Sequence, residues 1–254
     1  MDADYVLSPP ELTALNTELK SIVWVLKLSL PSDYEIRTVN TFATAFSIDE
    51  NGLIMTSAHL FRKHAYQISA RKLNDDKFLH EAEVVEIKSK WDIALLRVKN
   101  VSDCSFGRLA TDSSLLVGQN VLHIGHSGNF VGSFLVGKVV FPCVRVPLDN
   151  QICRNYICTA LDITPRYRIM GHIWNTDVLM KVDQHNYAFE GQLHPQIPVI
   201  QIRGLGFTNS CSGGPVFNTK GEIVGMMSMG YMDFEIAIHS SLFQQVLSEI
   251  VEEK

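Results

Sequence analysis

From Ser21 onward the chain is a series of short apolar runs closed by turn residues, with helical patterning confined to its two ends. That punctuation constrains the fold most, and it argues for an all-β barrel or sandwich. Thr41–Ile48 alternates, which places Phe42, Thr44, Phe46 and Ile48 on one face of a strand. Asp49-Glu50-Asn51-Gly52 follows, and Asn-Gly between apolar runs is a strong hairpin signal, so Leu53–Ser57 is the return strand. The same reasoning predicts strands over Tyr66–Lys72, Glu81–Ile87, Ile93–Val98, Val117–Gly125 and Val131–Val140. Near the C-terminus, Gly214–Phe217, the turn Asn218–Gly221 and Glu222–Ser228 repeat the hairpin pattern. Helices are predicted over Glu11–Lys20 and over the amphipathic Ser241–Val251. Cys143–Ile200 holds Pro147, Pro165, Pro195 and Pro198 and reads as extended loops with a few strands. No internal sequence repeat is visible.

Composition narrows the function classes. The chain has 254 residues, is 46% hydrophobic and 19% charged, and carries a formal net charge of −5. It is long enough to bury a sizeable core, and disorder or a collagenous repeat is excluded. A mildly acidic chain lacks the Lys/Arg surplus that phosphate neutralisation needs, so no nucleic-acid partner is expected. No run of 18 apolar residues occurs, so no membrane-spanning helix is expected. The start, MDADYVLSPPEL, is acidic and is broken by Pro9 and Pro10, unlike a secretory signal. With five cysteines, an odd number, the expectation is free thiols and an intracellular setting, cytoplasm or nucleus; an organelle address removed from the chain would look the same.

Three segments carry chemistry: Thr56-Ser57-Ala58-His59, Trp91-Asp92-Ile93-Ala94-Leu95-Leu96 and Ser210-Cys211-Ser212-Gly213-Gly214-Pro215. They supply an imidazole, a carboxylate at the head of an apolar strand, and a serine followed by two glycines. A serine hydroxyl needs a base to become a nucleophile at neutral pH, and imidazole titrates in the range to serve. A buried carboxylate fixes the imidazole tautomer and stabilises the imidazolium. The chain order His, Asp, Ser is that of the chymotrypsin type and differs from the subtilisin and α/β-hydrolase orders. Cys143, Cys153 and Cys158, with His172 nearby, match no closed zinc-site spacing, so no metal is expected. His123 and His126 read as satisfied or exposed histidines, Cys211 as a packing residue, and Met226, Met227, Met229 and Met232 as core and pocket walls.

The stretches FATAFSIDENGLIMTSAHLF, AEVVEIKSKWDIALLRV, VGQNVLHIGHSGNFVGSFLVGKVV and SCSGGPVFNTKGEIVGMMSMG, in collinear order, resemble the trypsin/chymotrypsin superfamily of serine proteases, on the Deg/HtrA side. The tail EIAIHSSLFQQVLSEI resembles the end of that protease domain, and no PDZ domain follows in this chain. The resemblance implies two packed six-stranded β-barrels with short terminal helices, a lead-in over 1–30 and a protease domain over 31–254. It implies cleavage of polypeptide substrates through an acyl-enzyme without a cofactor. Ser212 would be nucleophile, His59 general base and then acid, Asp92 the orienting carboxylate, and the Ser210 and Ser212 N–H groups the oxyanion hole. Ser228-Met229-Gly230 would pair the substrate backbone as an added strand. Gly206, six residues before Ser212, would floor the primary pocket, and its lack of charge points to apolar side chains before the cut. The lead-in with Trp24 would either contact sister chains in a homo-trimer or pack on its own barrel.

Departures from the pattern open a second reading. The family carries glycine two residues before the nucleophile, where this chain has Ser210. A left-handed serine would cost about 1–2 kcal/mol, so the oxyanion peptide would be flipped at rest or form only on binding. Cys211 replaces the aspartate with which trypsins pair a new N-terminus, so activation by that ion pair is not expected. The Asp92–Ser212 interval is long, with the excess in Cys143–Ile200. The alternative is therefore an inactive protease-like protein that binds peptides or partners in a retained cleft.

Overall fold

Outside the helices, residues of both parities are apolar along most strands, which suits a strand buried on both faces. The computed structural model describes residues 7–30, 39–61, 67–111, 115–127, 130–142, 198–206, 210–231 and 234–252. Within them, β1 (Val23–Leu30), β2 (Val39–Ser47), β3 (Leu53–Thr56), β4 (Gln67–Lys72), β5 (His80–Lys88) and β6 (Ile93–Val98) close into an antiparallel barrel in the order 1-2-3-6-5-4. A second barrel follows from β7 (Asn120–Ser127), β8 (Phe130–Phe141), β9 (Val199–Arg203), β10 (Pro215–Phe217), β11 (Ile223–Tyr231) and β12 (Phe234–His239). Its order, 7-8-9-12-11-10, repeats the first barrel's topology although no sequence repeat marks it. Closure removes exposed sheet edges, the usual liability of β-proteins. The fold is the all-β, two-barrel architecture expected.

Three apolar clusters hold it. Trp24, Leu26, Leu28, Ala43, Ala45, Ile54 and Leu96 fill the first barrel, and Val121, Val139, Ile200, Ile202, Val216 and Ala237 fill the second. The largest cluster lies on the other face of the same strands, with Val23, Val25, Phe46, Met55 and Leu95 meeting Leu122, Ile124, Met226, Ile236 and Ile238. This double burial explains three strands that local pattern did not resolve. In β1, Trp24 and Leu26 face the barrel interior while Val23 and Val25 face the neighbouring barrel, so no polar alternation marks it. β12 has the same character, and β9 begins at the end of Cys143–Ile200, the stretch read as extended loops with a few strands. Of that stretch, 143–197 lies outside the described residues. β7 starts three residues later than predicted because Leu116–Gln119 forms a turn, with Gly118 at φ 86° and Leu116 and Val117 exposed.

The lead-in divides into a helix and the first barrel strand. α1 (Pro9–Leu19) begins earlier than predicted, because proline is tolerated where a helix's first N–H groups have no internal partner. Glu11 accepts the Ser8 N–H at 2.7 Å and so completes a capping box. Leu12, Leu15 and Leu19 pack on the shared cluster. Trp24 is wholly buried in its own barrel, its indole N–H donating to Ser47 Oγ at 2.7 Å. α2 (Ser241–Glu252) follows the second barrel but returns to the first: Phe243 meets the Phe46 ring at 6.1 Å, and Lys88 pairs with Glu249 at 3.1 Å. The ion pair is half-exposed and contributes little, whereas Phe243 is fully buried. No described helix is long and apolar enough to cross a membrane.

Phe243 thus closes the junction between the barrels. Phe243→Ala is expected to destabilise the fold by about 3–5 kcal/mol, read as a lowered midpoint in urea unfolding.

Candidate active site

His59 and Asp92 lie at one end of a strand pair. β3 and β6 run antiparallel with Thr56 opposite Ala94, so the residues just after β3 and just before β6 meet. His59 sits on a short 3-10 turn over Ala58–Phe61. Asp92 ends another over Ser89–Trp91 and takes a left-handed conformation, φ 54°, which aspartate tolerates better than most residues. The Asp92 carbonyl accepts the Ala58 N–H at 3.2 Å, tying the turns together.

Asp92 is 1% exposed, so its carboxylate must be met by protein donors. Oδ1 accepts the His59 backbone N–H at 2.9 Å, and both oxygens lie 3.0 Å from His59 Nδ1. Oδ2 also accepts the Ser228 hydroxyl at 2.5 Å, a short charge-assisted bond. A carboxylate facing Nδ1 accepts from it, so Nδ1 is the ring nitrogen that donates to Asp92. The side chain of His59 is 10% exposed.

Ser228 comes from β11 of the second barrel. The β11–β12 register shifts between Met227 and Met229, which leaves Ser228 as a bulge residue. Bulges re-aim side chains, and here the hydroxyl points to Asp92 while the Ser228 carbonyl accepts the Ser212 hydroxyl at 3.3 Å. That last bond is long, so Ser212 Oγ is loosely held. Ser212 is buried and belongs to the same network as His59 and Asp92 through Ser228. The family resemblance implies that Ser228 pairs substrate backbone; its side chain has this second contact, which a serine inside a Met-rich run does not reveal.

The chain around Ser212 is fixed by close approach. Gly213 has φ 83°, and a Cβ there would overlap Thr56 Oγ1 and the Thr44 carbonyl; a Cβ on Gly214 would overlap His123 Cε1. Gly213 donates to the Met227 carbonyl and Met227 to the Gly214 carbonyl, both at 2.8 Å. Cys211 is fully buried and points away, its thiol 3.9 Å from the His126 carbonyl. The Ser210 carbonyl accepts the Thr44 hydroxyl at 2.9 Å. Among the described residues the N–H groups of Ser210 and Ser212 enter no hydrogen bond.

β11 pairs with β10 only as far as Met226, opposite Pro215. Beyond the Ser228 bulge, Met229–Tyr231 pairs with β12, and no other strand pairs it among the described residues. Gly206 is exposed, with φ 58° and open space where a Cβ would point. The glycine there answers to backbone conformation rather than crowding.

His123 and His126, expected to be satisfied or exposed, are both buried. His123 Nδ1 lies 2.8 Å from the Pro215 carbonyl, while Nε2 has no partner among the described residues. His126 stacks on Phe42 at 5.7 Å, and burial, with Arg71 nearby, pushes its pKa below the ordinary 6.5. The unfolded chain therefore binds a proton that the fold refuses. The stability held above pH 6.5 is lost as pH falls from there through the depressed folded value. His126→Phe is expected to flatten the fall in Tm between pH 7 and 5 relative to the parent chain, measured by thermal unfolding across that range.

A family model described as the trypsin-like peptidase domain matches residues 43–226. Two relatives described as probable periplasmic serine endoprotease DegP-like, from Ectopseudomonas mendocina (strain ymp) and Pseudomonas fulva (strain 12-X), are each 26% identical over 220 residues. The alignment covers 84% of this chain and 36% of each relative, so the chain spans about a third of their length.

Proposed function

Because this chain belongs to the trypsin-like peptidase family, we propose that it is a serine endopeptidase of the Deg/HtrA type, with Ser212 as nucleophile, His59 as base and Asp92 as the carboxylate that orients it. The observation that carries this reading is the single network running from Ser212 through Ser228 and Asp92 to His59. It is assembled from both barrels, and the Nδ1 contact with Asp92 supports Nε2 as the atom that acts as base.

The chemistry follows from those positions. Ser212 Oγ attacks the scissile carbonyl carbon as its proton passes to His59 Nε2, and Asp92 stabilises the imidazolium. The carbonyl oxygen becomes an oxyanion, for which the N–H groups of Ser210 and Ser212, in no hydrogen bond among the described residues, are the donors. Collapse expels the amine, which takes the proton from His59 and leaves an acyl-serine. A water molecule, deprotonated by His59, then attacks the ester, releases the acid and restores Ser212. The edge of β11 at Met229–Tyr231, which no second strand pairs among the described residues, supports a substrate bound as an extended strand, with main-chain bonds independent of sequence.

Hydrolysis of an unfolded polypeptide such as casein tests this. The wild-type chain is expected to cleave it, with Ser212→Ala and His59→Ala at background and Asp92→Asn slowed by about 10³–10⁴-fold. A folded wild type that binds casein without cutting it would instead support the inactive, peptide-binding alternative. Cleavage undiminished in Ser212→Ala would exclude Ser212 as nucleophile.

A further inference from the structure

Thr44 lies in the middle of β2, fully buried and remote in sequence from Ser212. Every polar atom it has is engaged. Its backbone N–H donates to the Ser212 carbonyl at 3.1 Å, and its hydroxyl donates to the Ser210 carbonyl at 2.9 Å. The hydroxyl oxygen accepts the His126 N–H at 3.0 Å, and the Thr44 carbonyl accepts the Thr56 hydroxyl at 2.7 Å. One residue of the first barrel thus grips the carbonyls of both residues whose N–H groups are the proposed oxyanion donors.

We propose that the Thr44 side chain is a positioning residue that sets the oxyanion-binding conformation of the Ser210–Ser212 segment. The inference rests on the peptidase reading above. Peptide units are planar, so the grip on the Ser210 and Ser212 carbonyls fixes the 210–211 and 212–213 units; the 211–212 unit, which carries the Ser212 N–H, is held between them, and the Ser210 N–H can turn only about Ser210 itself. Ser210 has a side chain where glycine would be freer, and Thr44 anchors its carbonyl. His126 sets the hydroxyl's direction: with the lone pair facing its N–H occupied, the Thr44 proton points to Ser210. An interaction that holds donors ready for charge that exists only in the transition state acts on kcat rather than on ground-state binding.

The test compares wild type, Thr44→Val and Thr44→Ser in peptide hydrolysis, with inhibition by a peptide boronate and by the corresponding non-covalent product peptide. Thr44→Val keeps the shape and removes the hydroxyl. It is expected to lower kcat by about 10–100-fold with KM within about threefold, to lose boronate affinity in parallel, and to keep product affinity. Thr44→Ser retains the hydroxyl and is expected to stay within about threefold of wild type on all counts. If Thr44→Val does not fold, Thr44→Cys, whose thiol donates weakly, gives the same contrast. Wild-type kcat in the valine variant, a loss confined to KM, or equal loss in the serine variant would overturn the inference while leaving the peptidase reading intact. A wild type that turns over no peptide would overturn that reading first, and the inference with it.

Discussion

The site depends on how one buried carboxylate is satisfied. Asp92 is almost wholly removed from water, and an ion in that position is costly unless donors surround it. Two donors come from His59, and the third, the Ser228 hydroxyl, comes from the other barrel. The same contacts that make the charge tolerable also orient the imidazole and locate β11 against the first barrel. Removing any one donor would leave a buried charge short of a partner, so the chemistry and the barrel junction are linked through a single residue.

Around that link the barrels are stitched by further short bonds. The Thr44 N–H reaches the Ser212 carbonyl, the Thr44 hydroxyl reaches Ser210, and the Ser57 hydroxyl reaches the Met227 carbonyl at 3.3 Å. Beneath them the large apolar cluster, capped by α1 and α2, supplies the non-directional attraction that brings the barrels together. The apolar burial holds the barrels close, while the polar stitches specify which residues face each other. Only the second kind of interaction fixes side chains to within the tolerance that a catalytic site requires.

Much of this was legible in the sequence for identifiable reasons. Asn51-Gly52 and Asn218–Gly221 mark hairpins whose strands sit as expected, with Gly52 and Gly221 at φ 79° and 77°. His59, Asp92 and Ser212 stood out because polar groups interrupt apolar runs beside glycine-rich turns. β1 and β12 did not stand out, since strands buried on both faces lose the alternation that reveals a strand. Thr44 was equally hidden, because a threonine within FATAFSI reads as one member of an ordinary strand face. Its role exists only once β2 lies against the Ser210–Ser212 segment, a pairing of residues more than 160 positions apart. Ser228 was expected to present backbone to a substrate, and its hydroxyl contact emerges from a bulge that no local pattern announces.

The account's central claim is that Ser212 is an activated nucleophile within an assembled network. Reaction of the folded chain with a fluorophosphonate probe, followed by mass spectrometric mapping of the modified peptide, tests it most directly. The account predicts one adduct, on Ser212, that is absent after heat denaturation and absent in His59→Ala. A folded chain that forms no adduct, or that carries it on another residue, would contradict the claim.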